Sequence, residues 1–116
     1  MVLWIGFDLQ AEIEAGGVSN WTALHFAAVY GKEAVAAQLL QAGASVSAVD
    51  KAYGETPLHF AARIGKSSIA NLLLKANASP TAVDKYGRTP AQCAKQQGHG
   101  DLAARLLEAE QAAALK

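Results

Sequence analysis

Apolar residues along this chain recur with the spacing of one helical face, and the same face occurs three times. Val35 is followed by the pair Leu39 and Leu40, and the same i, i+4, i+5 spacing begins again at Ile69 and at Leu102. Residues four positions apart lie on one side of an α-helix. The pattern therefore predicts amphipathic helices over about 32–41, 66–75 and 99–108.

A shorter helix is predicted before each of these. A threonine and, nine residues later, a glycine bound each segment: Thr22 and Gly31, Thr56 and Gly65, Thr89 and Gly98. Threonine suits an N-cap, because its hydroxyl accepts a hydrogen bond from an otherwise unpaired backbone N–H. Proline follows in two units, at Pro57 and Pro90, where its missing N–H costs nothing. Glycine ends such a helix by adopting a left-handed conformation.

The helix pairs belong to a repeat of 33 to 34 residues. Residues 22–51 laid on 56–85 without a gap share 18 identities in 30 positions. An extended stretch between units contains Asp50 and Gly54, or Asp84 and Gly87, and predicts a hairpin turn. The first of these turns has one extra residue, Ala52, which we expect to bulge the hairpin.

The repeated segments ETPLHFAARIGK (55–66), TALHFAAVYGK (22–32) and LLQAGASVSAVDK (39–51) resemble the ankyrin repeat. The resemblance covers about residues 17–110. It implies an all-α solenoid of stacked helix-turn-helix units with β-hairpin connections. Repeat 3 departs from repeat 2 by placing Ala91, Gln92 and Lys95 at the positions of a leucine, a histidine and an alanine. Polar residues there are typical of a terminal cap that meets water.

We expect a single domain with four parts: a truncated N-terminal cap (1–16), repeat 1 (17–49), repeat 2 (50–83), and repeat 3 with the C-terminal cap (84–116). The cap residues leave two alternatives open. In the first, residues 1–16 are the remnant of an earlier repeat's second helix. In the second they form a strand, because VLWIGF is rich in β-forming residues.

Candidate chemistry in this sequence has simpler structural explanations. His25 and His59 occupy equivalent positions and invite a metal or catalytic interpretation, but the resemblance implies that this histidine forms hydrogen bonds between repeats. Cys93 takes the position of Phe26 and Phe60, which indicates core packing. We therefore predict no catalytic residues, no metal site, no cofactor and no enzymatic activity.

Composition and charge narrow the partners. The chain has 116 residues, 52% hydrophobic, with ten basic and ten acidic residues. Because the formal net charge is zero, we expect no binding to nucleic acid or membranes. Charge is uneven, with five acids and one base in residues 1–50 and seven bases and two acids in 51–95. A single cysteine excludes an intramolecular disulfide and favours an intracellular location, cytoplasmic or nuclear.

The resemblance implies a protein–protein interaction module whose partners touch the hairpin tips and the exposed ends of the first helices. The predicted contact residues, called here the candidate face, are Trp21, Val29, Tyr30, Lys51, Tyr53, Glu55, Arg63, Ile64, Lys85, Tyr86, Arg88 and Gln96. We expect a monomer that binds a protein or an extended peptide, with acidic residues matching the bases of the face. The alternative is a spacer or regulatory piece of a longer repeat protein.

Overall fold

A computed structural model describes residues 21–115 of the chain. The predicted N-terminal cap, the beginning of repeat 1 and the final lysine lie outside the described residues. Within them, six helices follow one another as three pairs: α1 (Ala23–Tyr30) with α2 (Glu33–Gln41), α3 (Pro57–Ile64) with α4 (Ser67–Lys75), and α5 (Pro90–Gln96) with α6 (Gly100–Ala114). The ankyrin-like all-α architecture predicted from the repeats is confirmed.

The residues that bound each helix act as predicted. Proline occupies the first turn of α3 and α5. Left-handed glycines follow the first helices, with φ of 67° at Gly31, 86° at Gly65 and 82° at Gly98. Gly43 and Asn77 take the same conformation after α2 and α4, with φ of 88° and 70°. Positive φ costs little for glycine and is tolerated by asparagine.

The last helix is longer than predicted. It was expected to end near residue 108, but α6 continues to Ala114. The continuation is rich in alanine and contains no glycine or proline. Alanine has the highest helix propensity, so these residues extend the helix beyond the repeat pattern.

Helix pairs stack so that each repeat covers the next. The first helices form one row, in which α3 contacts both α1 and α5, and α2 packs on α4 in a second row. Alanines on the first helices are fully buried, including Ala28, Ala62 and Ala94. Their small side chains permit close approach of the helices. Of each leucine pair in repeats 2 and 3, only the first member, Leu73 or Leu106, is fully buried.

The connections between repeats are hairpin-like turns, and the residues from 21 to 115 contain no strand. The expected β-hairpin connections are therefore realised only as isolated backbone bonds. In the second connection Gly87 N–H donates to the carbonyl of Asp84, three positions earlier in the chain. In the first connection Gly54 N–H donates to the carbonyl of Asp50, four positions earlier. The extra residue Ala52 thus widens the first turn, as predicted.

Each first helix begins with a reciprocal capping box. In repeat 1 the backbone N–H of His25 donates to the Thr22 hydroxyl, and the backbone N–H of Thr22 donates to His25 Nδ1 at 3.1 Å. The other ring nitrogen, Nε2, donates to the carbonyl of Glu55 at 2.8 Å. His59 repeats this arrangement toward the carbonyl of Arg88, also at 2.8 Å. The predicted inter-repeat hydrogen bonds are confirmed.

Burial and bonding keep both imidazoles neutral. Burial lowers the pKa of His25 from 6.5 to about 4, an effect partly opposed by the charge of Asp50. Burial also lowers the pKa of His59, against the raising effect of its bond to the Arg88 carbonyl. A proton on Nδ1 would face the backbone N–H that this nitrogen accepts from. The neutral tautomer with hydrogen on Nε2 satisfies every bond.

We predict that His59→Gln lowers stability without unfolding the helices. Glutamine can keep the capping box, as Gln92 does in α5, but we expect its shorter side chain not to reach the Arg88 carbonyl. Loss of that bond should cost about 1–3 kcal/mol, because it leaves a buried acceptor unpaired. Urea unfolding monitored by circular dichroism measures the change. The matched control is Gln92→His, which should be near neutral, and equal stability of both variants would contradict the structural role.

We predict that stability falls as the pH is lowered from about 6.5 toward 4. The unfolded chain takes up protons on these histidines near pH 6.5, whereas the folded chain resists protonation, so acid favours unfolding. For His25 the full loss is roughly 3 kcal/mol. Chemical denaturation at pH 7 and pH 5 checks this, with His25→Gln as the comparison. An equal loss of stability in both chains would show that other groups are responsible.

Candidate protein-interaction face

The candidate face brings together the turns between repeats and the ends of the first helices. Lys85 N–H donates to the carbonyl of Tyr53 at 2.9 Å and thereby joins one turn to the next. The Tyr53 and Tyr86 rings lie beside each other with centroids 6.1 Å apart. Tyr30 and Ile64 occupy equivalent positions at the ends of α1 and α3. These four side chains are exposed by 55% (Tyr30), 43% (Tyr53), 42% (Ile64) and 60% (Tyr86).

Cationic side chains lie over the two turn tyrosines. The Arg63 guanidinium is 5.7 Å from the centre of the Tyr53 ring, and that of Arg88 is 5.1 Å from the Tyr86 ring. The Lys85 ammonium lies 6.0 Å and 5.5 Å from the same two rings. Cation–π contacts at exposed sites contribute roughly 0.5–1 kcal/mol each. The tyrosines therefore order the bases around them and still present apolar surface.

Glu55 is the predicted contact residue that the structure corrects. Its side chain is fully buried, so it cannot offer the exposed carboxylate expected of it. The carboxylate forms ion pairs with Arg63 and with Arg88, the latter at 3.5 Å. A buried charge needs such partners because removal from water is costly. Sequence position alone placed Glu55 at the turn, but the arginines on either side of it draw it inward.

Arg88 ties this ion pair to the turn before repeat 3. Its Nε donates to Asp84 Oδ2 at 2.9 Å, and its Nη1 donates to Gln96 Oε1 at 3.2 Å. Burial alone would raise the pKa of Asp84. Hydrogen bonds from the backbone N–H groups of Arg88 and Tyr86, and from the Arg88 side chain, outweigh burial and lower the pKa below 3.8. The carboxylate therefore stays ionised and fixes the guanidinium.

A cleft of about 230 Å³ opens between repeats 2 and 3 over this ion-pair network. We call it the arginine cleft, and its lining residues are Tyr53, Arg63, Arg88, Cys93, Gln96 and Gln97. The Cys93 side chain is buried, as predicted from its phenylalanine-equivalent position. Its Sγ lies 3.9 Å from Glu55 Oε2. Burial raises the pKa of this thiol, more than the nearby Arg88 charge lowers it.

Potential metal ligands do occur in this network. Among the described residues, Glu55, Asp84 and Cys93 place one ligand atom each within 4.8 Å of one another. Both carboxylates are already paired with guanidinium groups, and the thiol is held protonated by burial. A metal ion would need the thiolate and would have to displace the arginines. The cations that fit this group of residues are therefore the two guanidinium groups.

Repeat 1 contributes an apolar section of the face. Trp21 is half-buried, with its ring edge-on to Phe26 at 5.1 Å and to Phe60 at 4.8 Å between centroids. Val29 is half-buried, and Tyr30 stacks on Phe26 at 6.3 Å. Trp21 thus serves packing between repeats as well as the surface. Lys51 and Gln96, the remaining predicted contacts, are exposed.

Sequence reasoning missed Asp84 and Cys93 as parts of this site. Cys93 and Gln97 line the cleft, and Asp84 orients Arg88 beneath it. The signal that could have found the cleft is the column of residues directly before each capping threonine, Trp21, Glu55 and Arg88. A stack places such equivalent residues side by side, so an acid next to an arginine there predicts an ion pair.

Stacked helix pairs joined by tight turns, with a side-chain hydrogen bond from each repeat to the next, define a helical-repeat protein. No helix in the region 21–115 is long and apolar enough to cross a membrane. The family profile for ankyrin repeats in three copies matches residues 36–115, and the single ankyrin repeat profile matches residues 19–51. This chain belongs to the ankyrin repeat family. No individual curated protein matches it.

We predict that Cys93 reacts slowly with a thiol reagent in the folded protein. The thiolate is the reactive form, and burial both shields the sulfur and raises its pKa. Labelling with Ellman's reagent at pH 8 should be at least about tenfold slower in buffer than in urea. The Cys93→Ser variant supplies the blank. Equal rates with and without urea would mean that the sulfur is open to solvent.

Proposed function

We propose that this chain binds an extended segment of another protein through the candidate face. Ankyrin repeats are generally protein–protein interaction modules, and the family is typically non-enzymatic. The observation that carries the proposal is the alignment of exposed Tyr30 with Ile64, and of Tyr53 with Tyr86, at equivalent positions of consecutive repeats. Tyrosine and arginine are enriched among residues that dominate interface energies.

The geometry favours a peptide-like partner of limited length. Packed helices lie about 8–10 Å apart, so three repeats give a surface roughly 30 Å long. An extended peptide rises about 3.3 Å per residue and would place on the order of nine residues along it. A contact of this size supports a modest affinity. We propose that the chain acts as a monomer in this role.

The charge of the face favours an acidic partner. Lys51 and Lys85 are exposed, and Arg63 and Arg88 are partly exposed, whereas Asp50, Glu55 and Asp84 are buried. The surface that a partner meets is therefore basic. We propose a protein partner with acidic residues and an intracellular location, in the cytoplasm or nucleus, as the single buried thiol favours.

We predict that replacing exposed apolar residues of the face reduces binding. The test variant is Ile64→Ser with Tyr86→Ser, because both side chains are exposed and their loss should not disturb the core. Partners captured from cell lysate are identified by mass spectrometry, and their affinity for the purified chains is then measured. We expect a loss of at least about tenfold, as for anchor residues of an interface.

The matched control replaces an exposed leucine of α6 and the exposed leucine that directly follows this helix, Leu107→Ser with Leu115→Ser. This control should bind as well as the unaltered chain. Equal affinity of the face variant and the control would move the binding surface elsewhere. If the unaltered chain captures nothing, the spacer role becomes the better explanation.

A further inference from the structure

The candidate face has two chemically different halves. Val29, Tyr30 and Ile64, here the apolar patch, belong to repeats 1 and 2. At the positions equivalent to Val29, the next repeats have Arg63 and Gln96, which line the arginine cleft. The patch and the cleft are thus displaced by about one repeat along the stack, which corresponds to about 10 Å.

Acids and bases in the second half lie in separate layers. Asp50, Glu55 and Asp84 are at most 5% exposed. Asp50 Oδ1 accepts from the backbone N–H of Glu55 at 2.8 Å, so this acid is used within the turn. The arginines lie above the acids with side chains 33% (Arg63) and 29% (Arg88) exposed. A ligand in the cleft therefore meets guanidinium groups before it meets any carboxylate.

Arg63 retains donor capacity for such a ligand. A guanidinium offers five N–H donors, and within residues 21–115 the ion-pair or hydrogen-bond partner of the Arg63 side chain is the Glu55 carboxylate alone. The Tyr53 and Phe60 rings lie beside the guanidinium, at 5.7 Å and 5.5 Å, and hold it in place without using its N–H groups. Gln96 and Gln97 add neutral amide groups to the lining.

We infer that the arginine cleft binds one aspartate or glutamate side chain of the partner, about three residues along an extended segment from an apolar side chain seated on the apolar patch. The inference rests on the proposed function and specifies the partner's chemistry. In the extended polyproline II conformation, which rises about 3.1 Å per residue with three residues per turn, three residues cover the offset between patch and cleft and bring the second side chain back to the same side of the segment. A carboxylate suits a guanidinium because paired N–H donors match its two oxygens.

Glu55 then acts as an internal competitor for the same donors. Its carboxylate pairs with both arginines of the cleft, so it lowers the positive potential that a partner's carboxylate meets. Neutralising Glu55 should strengthen binding of an acidic peptide, whereas neutralising Arg63 should weaken it. Damage to the fold cannot produce this pair of opposite effects.

The test selects binders from a displayed library of random nine-residue peptides with the full chain. We expect enriched peptides to have an acidic residue three positions from an apolar one. Synthetic peptides from the enriched set, with the acidic residue or with its amide counterpart, are then titrated by fluorescence anisotropy. Affinity should fall roughly tenfold when the acid becomes an amide, and should weaken as salt is added.

Variants assign the effect to the cleft. Arg63→Gln should weaken binding of the acidic peptide roughly tenfold. Arg63→Lys should weaken it by less, since the charge remains but the paired N–H donors of the guanidinium are lost. Glu55→Gln should strengthen binding of the same peptide. Lys75→Gln, which removes an exposed charge from α4, should change nothing. Circular dichroism confirms that each variant is folded. If Arg63→Gln cannot fold, the change in acidic-peptide affinity caused by Glu55→Gln still tests the carboxylate site.

Two failures are distinguishable. Enriched peptides without an acidic preference, or weaker binding in Glu55→Gln, would overturn the carboxylate site and leave the proposed peptide-binding function intact. A library from which the chain enriches no peptide would overturn both proposals.

Discussion

The hydrogen bond from His25 Nε2 to the Glu55 carbonyl, 2.8 Å long, joins local and long-range structure in one side chain. The same imidazole caps its own helix through Nδ1, so helix initiation and repeat stacking depend on a single neutral ring. His59 repeats the arrangement toward Arg88. Through Glu55 and Arg88 these bonds also fix the residues whose side chains build the arginine cleft. The scaffold and the candidate site therefore share the same backbone positions.

The fold was predictable because its determinants are local and occur three times. Thr22, Thr56 and Thr89 cap the first helices, and glycines end them, each for a reason visible in the sequence. The extension of α6 was not predicted, because its alanines favour a helix but do not form the alternation of apolar and polar faces on which the prediction was based. The two turns between repeats within residues 21–115 contain no strand. Each contributes only isolated backbone bonds, which a sequence pattern cannot distinguish from a short ladder.

The candidate site was predictable in its location but not in its chemistry. The turn tyrosines and the ends of the first helices are exposed as the repeat resemblance implied. The burial of Glu55 depends on Arg63 and Arg88, one from its own repeat and one from the next. Pairwise contacts between variable positions of neighbouring repeats follow from the stacking offset and side-chain reach. The residues that recur in every repeat determine neither the stacking offset nor the reach of these side chains.

Variation at one column shows how a fixed scaffold acquires a particular surface. The residue before the capping threonine is Trp21, then Glu55, then Arg88. In each repeat the backbone of this residue lies directly before the same capping box, while its side chain is aromatic, acidic or basic. Trp21 closes the core against Phe60, and Glu55 and Arg88 form a charged pair beneath a cleft. Because the histidine bonds use only the backbone carbonyls of Glu55 and Arg88, the side chains at these two positions can change the ligand without breaking those bonds.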